Sequence, residues 1–174
     1  MVFFIMGGIF ALVIGYSIIC NKRYKEYFED ESGEKAKMDL EMKQRLIGIL
    51  LPLDPKIQEK NIVNGHFIKQ VSLVLKVTTY YSYAIVFTDD KDSLLLYEYS
   101  PEEEKASLIG EFSLEQLSMK EISPYQINYL FHDVNGKLLH SVQVYNQEIP
   151  DSNDYEIKYS QSKEFEKLRE KVGD

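Results

Sequence analysis

Tryptophan is missing from these 174 residues, cysteine occurs once, and positive charge is in short supply: 20 Lys and Arg stand against 28 Asp and Glu, a net charge of -8. Each shortage excludes something. The lone Cys20 can close no internal disulfide, which suits a reducing compartment. The basic shortfall concentrates late in the chain, where residues 51–174 hold 13 Lys/Arg and 21 Asp/Glu. That balance argues against unaided binding to nucleic acid or to anionic head groups. No Gly-rich phosphate loop, Cys/His cluster or Gly-x-Ser-x-Gly elbow occurs, so the usual signatures of phosphoryl transfer, zinc chemistry and acyl transfer are absent. No catalytic residue and no cofactor is expected.

What is present is aromatic and apolar. Thirteen Tyr and nine Phe are ample for a packed core despite 28% charged residues, so the bulk of the chain should fold. The first apolar stretch runs from Val2 to Cys20, nineteen residues without a charge, which as a helix reaches about 28 Å, close to the hydrocarbon thickness of a bilayer. A cleaved signal would place basic residues ahead of this run, yet Lys22, Arg23 and Lys25 follow it. Gly15-Tyr16-Ser17 offers a small-x-small cleavage pattern, and Cys20 lacks the small preceding residue of a lipobox. A single transmembrane helix over 1–20 is the reading adopted. The three cations set its topology, with the C-terminal part on the cytoplasmic side of a cell membrane. Gly7, Ala11 and Gly15 share one stripe of the span, where a second helix could approach. A homo-oligomer would form there, although small residues are common in membrane helices in any case.

Residues 21–55 read as a juxtamembrane stalk and helix. Charges of both signs alternate to residue 37, after which Met38, Met42, Leu46, Ile49 and Leu50 line one helical face that Pro52 ends. Such a face should dock on the chain's own domain.

The remainder, 56–174, changes period. "FIKQVSLVLKVTTYYSYAIVF", "SLLLYEYS", "ASLIGEFSL", "YQINYLFHDV" and "KLLHSVQVYN" predict at least five strands. Tyr81, Tyr83, Ile85 and Phe87 alternate with Tyr80, Ser82, Ala84 and Val86, which predicts a half-buried antiparallel strand with one mixed face. Asn135-Gly136 predicts a two-residue hairpin, with His132 opposite Leu139 and His140 opposite Phe131. "SQSKEFEKLREKV" predicts a final amphipathic helix capped by Ser160 or Ser162 and carrying Phe165, Leu168 and Val172 on one face. The fold class is therefore α+β, mainly antiparallel: a bent sheet or partial barrel plugged by a C-terminal helix.

"AIVFTDDKDSLLLYEYS" followed by "ASLIGEFSLEQLSMKEI" resembles the central strands of bacterial pleckstrin-homology-like (PH-like) domains, and "EFEKLREKV" is similar to their terminal helix. The resemblance covers roughly residues 67–172 and implies a recognition fold without catalytic residues. Phosphoinositide-binding members cluster Lys and Arg near the first hairpin. Only Lys69 and Lys76 stand there in this chain, so head-group binding is not expected, and the stretch from Pro52 to Gly65 falls outside the pattern.

The remaining chemistry is sparse. His132 and His140 are expected on opposite hairpin faces and His66 in a loop, which precludes a shared metal. Asp89, Asp90 and Asp92 fail as an EF-hand, since Leu94 and Pro101 occupy ligand positions, and read as a solvated turn. Glu98 and Glu111 on adjacent strands read as acidic surface. The tyrosines are the better candidates for function, because aromatic rings offer large contact area at low entropic cost. Two strand faces should not both be core in so small a domain, so Tyr80 together with Tyr97 or Tyr99 is expected at a partner-binding surface. These readings converge on a membrane-anchored, non-enzymatic module that binds protein or peptide. An accessory subunit of a membrane complex, assembled through the transmembrane and stalk helices, is the alternative.

Overall fold

A computed structural model of the chain describes Lys22, residues 33–70 and residues 78–173, the side chains of Gln70 and Thr78 excepted. The apolar run with Gly7, Ala11 and Gly15, the cations Arg23 and Lys25, and Lys76 lie outside the described residues; Lys22 is exposed. No helix among the described residues is long and apolar enough to cross a membrane. The chain divides into two compact units, Met1–Lys37 and Met38–Asp174, and the architecture below is that of the second.

The fold is α+β. Helix α1 spans Glu34–Leu50. Seven strands follow: β1 (Asn61–Gln70), β2 (Thr78–Phe87), β3 (Ser93–Ser100), β4 (Lys105–Ser113), β5 (Leu117–Ser123), β6 (Gln126–His132) and β7 (Leu138–Tyr145). A short hairpin, β8 (Asp151–Ser152) with β9 (Ile157–Lys158), precedes the C-terminal helix α2 (Ser162–Gly173). All pairings are antiparallel, and the seven strands lie in the order β4-β3-β2-β1-β7-β6-β5. This is a four-stranded meander joined to a three-stranded one. The join is narrow, a single pair, His66 with Gln143.

The reason lies in Gly65. A Cβ there would sit 2.5 Å from Val142 Cγ1 and 2.8 Å from the Gln143 carbonyl, so only glycine lets β1 cross this close to β7. Beyond the join the strands part, and the Gln161 side chain fills the gap. Its Oε1 accepts from Asn64 N–H at 2.8 Å, and its Nε2 donates to the Asn64 carbonyl at 2.8 Å and the Tyr145 carbonyl at 3.0 Å. One buried amide thereby substitutes for a missing strand residue. "NIVNG", in the stretch set outside the pattern, is the first half of β1, so strand structure begins six residues before the predicted Phe67.

Two cores result. The inner one gathers Val63, Tyr83, Ile85, Phe87, Leu94 and Leu96 from the first meander with Ile127, Tyr129, Phe131, Val142 and Val144 from the second, all under Phe165 and Leu168 of α2. Because both meanders feed one cluster, the sheet bends around it. The outer core lies on the opposite face of β1–β3, where Ile62, Ala84, Val86, Tyr97 and Tyr99 are covered by Leu46, Ile49 and Leu50 of α1 and by Ile157 and Tyr159. The predicted docking of α1 is thus observed from Met42 onward, while Met38 is exposed. Contrary to expectation, β2 is buried on both faces from Ser82 to Phe87, because α1 and the 146–161 segment cover the mixed side there.

The β6–β7 hairpin also departs from the two-residue prediction. Asp133 and Lys137 bracket a three-residue loop in which Gly136, at φ 80°, follows a turn closed by Gly136 N–H to the Asp133 carbonyl at 2.9 Å. The resulting bulge pairs His132 with Leu138 rather than Leu139, while Phe131 pairs with His140 as predicted. At the β2–β3 turn, the α2 Lys167 ammonium holds Asp89 and, at the start of β1, Asn61 at 3.1 Å each.

Candidate functional site

Three groups of side chains on β1, β2 and the 146–161 segment define the candidate site. The first is an exposed aromatic patch. Register places Ile68 opposite Tyr80, and the Tyr80 ring lies 5.5 Å from that of Tyr155, tilted by 30°. All three side chains are open to solvent, Tyr155 at 60%. Ser82 Oγ donates to the Tyr155 carbonyl at 2.7 Å and so fixes the segment that presents this ring.

The other two predicted tyrosines are not available to a partner. Tyr97 and Tyr99 are only 3% and 4% exposed. Tyr99 donates to Asn64 Oδ1 at 2.7 Å, and burial pushes its phenol well above the ordinary value. Both point to the outer face, which the strand alternation describes correctly but which α1 and the β8–β9 hairpin close. Tyr80 alone of the three remains at the surface. Its companion Tyr155 opens "YEIKYS" directly after the polar "DSND" and alternates with Ile157 and Tyr159, which are buried, so periodicity does not mark it as exposed.

The second group lines a cleft of about 300 Å³ where β1 and β2 approach the start of β7. Phe67, Tyr81 and Tyr83 form one wall and Leu138, Leu139 and His140 the other, with Lys69 at the edge. Tyr83 meets His140 edge-on at 6.2 Å and Phe67 lies 6.3 Å from Tyr81. Burial, with Glu98 and Tyr81 adding to it, pushes the Tyr83 phenol up to about 12. It stays a neutral hydrogen-bonding group at physiological pH.

The third group is buried and ionisable. His66 is no loop residue; it stands in the middle of β1, its ring stacked on Tyr145 at 5.3 Å and 20°. His66 Nδ1 lies 3.8 Å from Glu156 Oε2, with the two side chains 5% and 8% exposed. Both atoms lack a hydrogen-bond partner, and Glu156 is paired through its other oxygen with Lys158. Burial pushes the imidazole pKa down against the pull of Glu156 and with the help of Lys158, so His66 is neutral at pH 7. Nearby, burial pushes the Glu148 carboxyl up to about 8, with Lys158 opposing and Glu156 reinforcing the shift. Of these groups His66 lies on β1 and Glu148, Glu156 and Lys158 belong to the 146–161 segment, with His66 and Glu156 the buried pair between the two. A substrate would have to displace the segment to reach His66.

Other candidates separate in space. His132 Nδ1 sits 3.3 Å from the Gln116 carbonyl at the β4–β5 turn, away from His140 beside Tyr83. Glu98 pairs with Ser107 and Glu111 with Leu95, so the two carboxylates are not partners across the β3–β4 ladder. No group of three or more His, Cys, Asp or Glu able to hold a metal occurs among the described residues. No protein-family model matches the chain, and no curated protein or solved structure matches it either.

Proposed function

We propose that this protein is a non-enzymatic recognition module that binds protein or peptide through Ile68, Tyr80 and Tyr155, with the adjoining Phe67–His140 cleft accepting an apolar side chain. One observation carries the reading: two exposed tyrosines held 5.5 Å apart on a hydrogen-bonded platform. Solvent-facing rings whose backbone is already fixed lose little freedom on binding, which is what makes tyrosine effective at interfaces. The bend of a four-stranded meander over a three-stranded one, closed by a C-terminal helix, supports a PH-like fold for the module. Among the described residues Lys69 is the one cation lining the cleft, which supports protein or peptide over a phosphoinositide head group.

The apolar run 2–20 and the cations Lys22, Arg23 and Lys25 support a membrane anchor with the module on the cytoplasmic side. Anchoring raises the local concentration of a weak binder near the bilayer. The test is in-membrane cross-linking with the full chain. Tyr80→Ala with Tyr155→Ala should abolish recovery of the partner while leaving the thermal melt in place; undiminished recovery overturns the proposal.

A further inference from the structure

The gap between β1 and β7 opens on both sides of the single pair His66–Gln143, and among the described residues only one side is filled. Main-chain groups point alternately to the two sides of a strand. The Asn64 N–H and carbonyl and the Tyr145 carbonyl meet the Gln161 amide inside the gap, so Asn64 and His66 of β1, and Tyr145 and Gln143 of β7, are the residues that face it. Past the join the next to face it are Ile68 and Ser141. With the strands in contact these two would extend the ladder, yet the β1–β7 pairing among the described residues has no such step. β1 itself stays regular, paired with β2 through Gln70, and the opening is the cleft of about 300 Å³ between Phe67 and the start of β7.

We propose that an extended peptide enters this opening as an added strand, hydrogen-bonded to the main chain of Ile68. The occupant follows from the groups that face the gap. Ile68 presents a donor and an acceptor side by side, and on the far side of the join the Gln161 amide, itself donor and acceptor, is what fits between the same two strands. A strand supplies that pair of groups at every second residue, whereas a helix has spent its own internally along all but its ends. Side chains of an added strand alternate between the faces of the sheet. Phe67 and Tyr81 pack toward the inner core, while Ile68 and Tyr80 lie on the other face. One ligand residue therefore enters the cleft beside Tyr83 and His140, and the next lies over Ile68 toward Tyr80 and Tyr155. The cleft and the aromatic patch, on opposite faces, become one site. The inference rests on the recognition reading proposed above and adds the conformation of the ligand.

The experiment uses the full chain in lipid nanodiscs and short peptides selected on it from a random phage-displayed library. Selected peptides should carry apolar residues at adjacent positions. Methylating the main-chain nitrogens at alternate positions of a synthetic copy should weaken binding about tenfold, through loss of main-chain hydrogen bonds. Ile68→Pro removes the donor that faces the gap and leaves the β1–β2 ladder intact, since proline is tolerated where the N–H points away from the paired strand. It should bind about tenfold more weakly than Ile68→Ala with the same thermal melt. A library without binders overturns the proposal, as do binders whose apolar residues recur at the three- and four-residue spacing of a helix. Full affinity of the methylated peptide also overturns it, and decides the matter even where the proline variant misfolds. Should Ile68→Pro keep full affinity while Tyr80→Ala with Tyr155→Ala loses it, the added strand is overturned and the aromatic patch stands; the reverse result overturns the patch and leaves the strand.

Discussion

Both faces of β1–β3 hold a buried core, yet the two cores are built on different principles. The inner face is a cluster in which aliphatic and aromatic side chains from seven strands meet Phe165 and Leu168 of α2. The outer face mixes Ile62, Ala84 and Val86 with Asn64, His66 and Ser82, and its cover is tied down by hydrogen bonds. Apolar burial needs only matched shape and area, so the inner face tolerates many sequences that keep its volume. A buried polar face also needs donors and acceptors placed to meet, as Gln161 does for Asn64, and is correspondingly specific. The module's proposed binding ring, Tyr155, belongs to the specific face.

That contrast can be broken at either face. Phe165→Ala, which empties the inner core beneath α2, should cost about 3–5 kcal/mol in urea unfolding. Gln161→Ala should cost about 2–3 kcal/mol, since it strands the Asn64 N–H and carbonyl in the gap between β1 and β7. Its amides on β1 should also gain hydrogen exchange, a signature that Phe165→Ala would spread over both meanders.

Titration separates the faces further. The folded domain holds the Glu148 proton more tightly than the unfolded chain does, so this part of the stability is complete below the ordinary carboxyl value of 4.5 and is lost as pH rises through about 8. Discounted for partial exposure, the loss is about 1–2 kcal/mol, and Glu148→Gln should flatten it. His66 works in the opposite sense: its lowered pKa contributes stability above 6.5 that fades as pH falls through the folded value. The smallest effect concerns α1. Gly48→Ala should stabilise the domain by about 0.5–1 kcal/mol through helix propensity, because the added methyl meets nothing. A decrease in melting temperature would show that the open space is occupied.

Much of this fold is legible in residue order. Period-two runs locate β2, β3, β4, β6 and β7, Pro52 stops α1, and Phe165 and Leu168 mark the buried side of α2. The candidate site was less so. Tyr80 could be placed at the surface from alternation, but Tyr97 and Tyr99 alternate in the same way and are buried, because exposure depends on what lies across the sheet. Tyr155 shares its alternation with Ile157 and Tyr159, both buried, so its exposure is not legible there, and His66 follows an Asn-Gly pair that here runs through a strand.

Local chemistry, then, decides the class of element and its apolar side, because periodicity and turn preference act over a few residues. Which sides are covered is decided by partners distant in sequence. Gln161 reaches Asn64 across 97 positions and Ser82 holds Tyr155 across 73, and only the folded chain brings such pairs together.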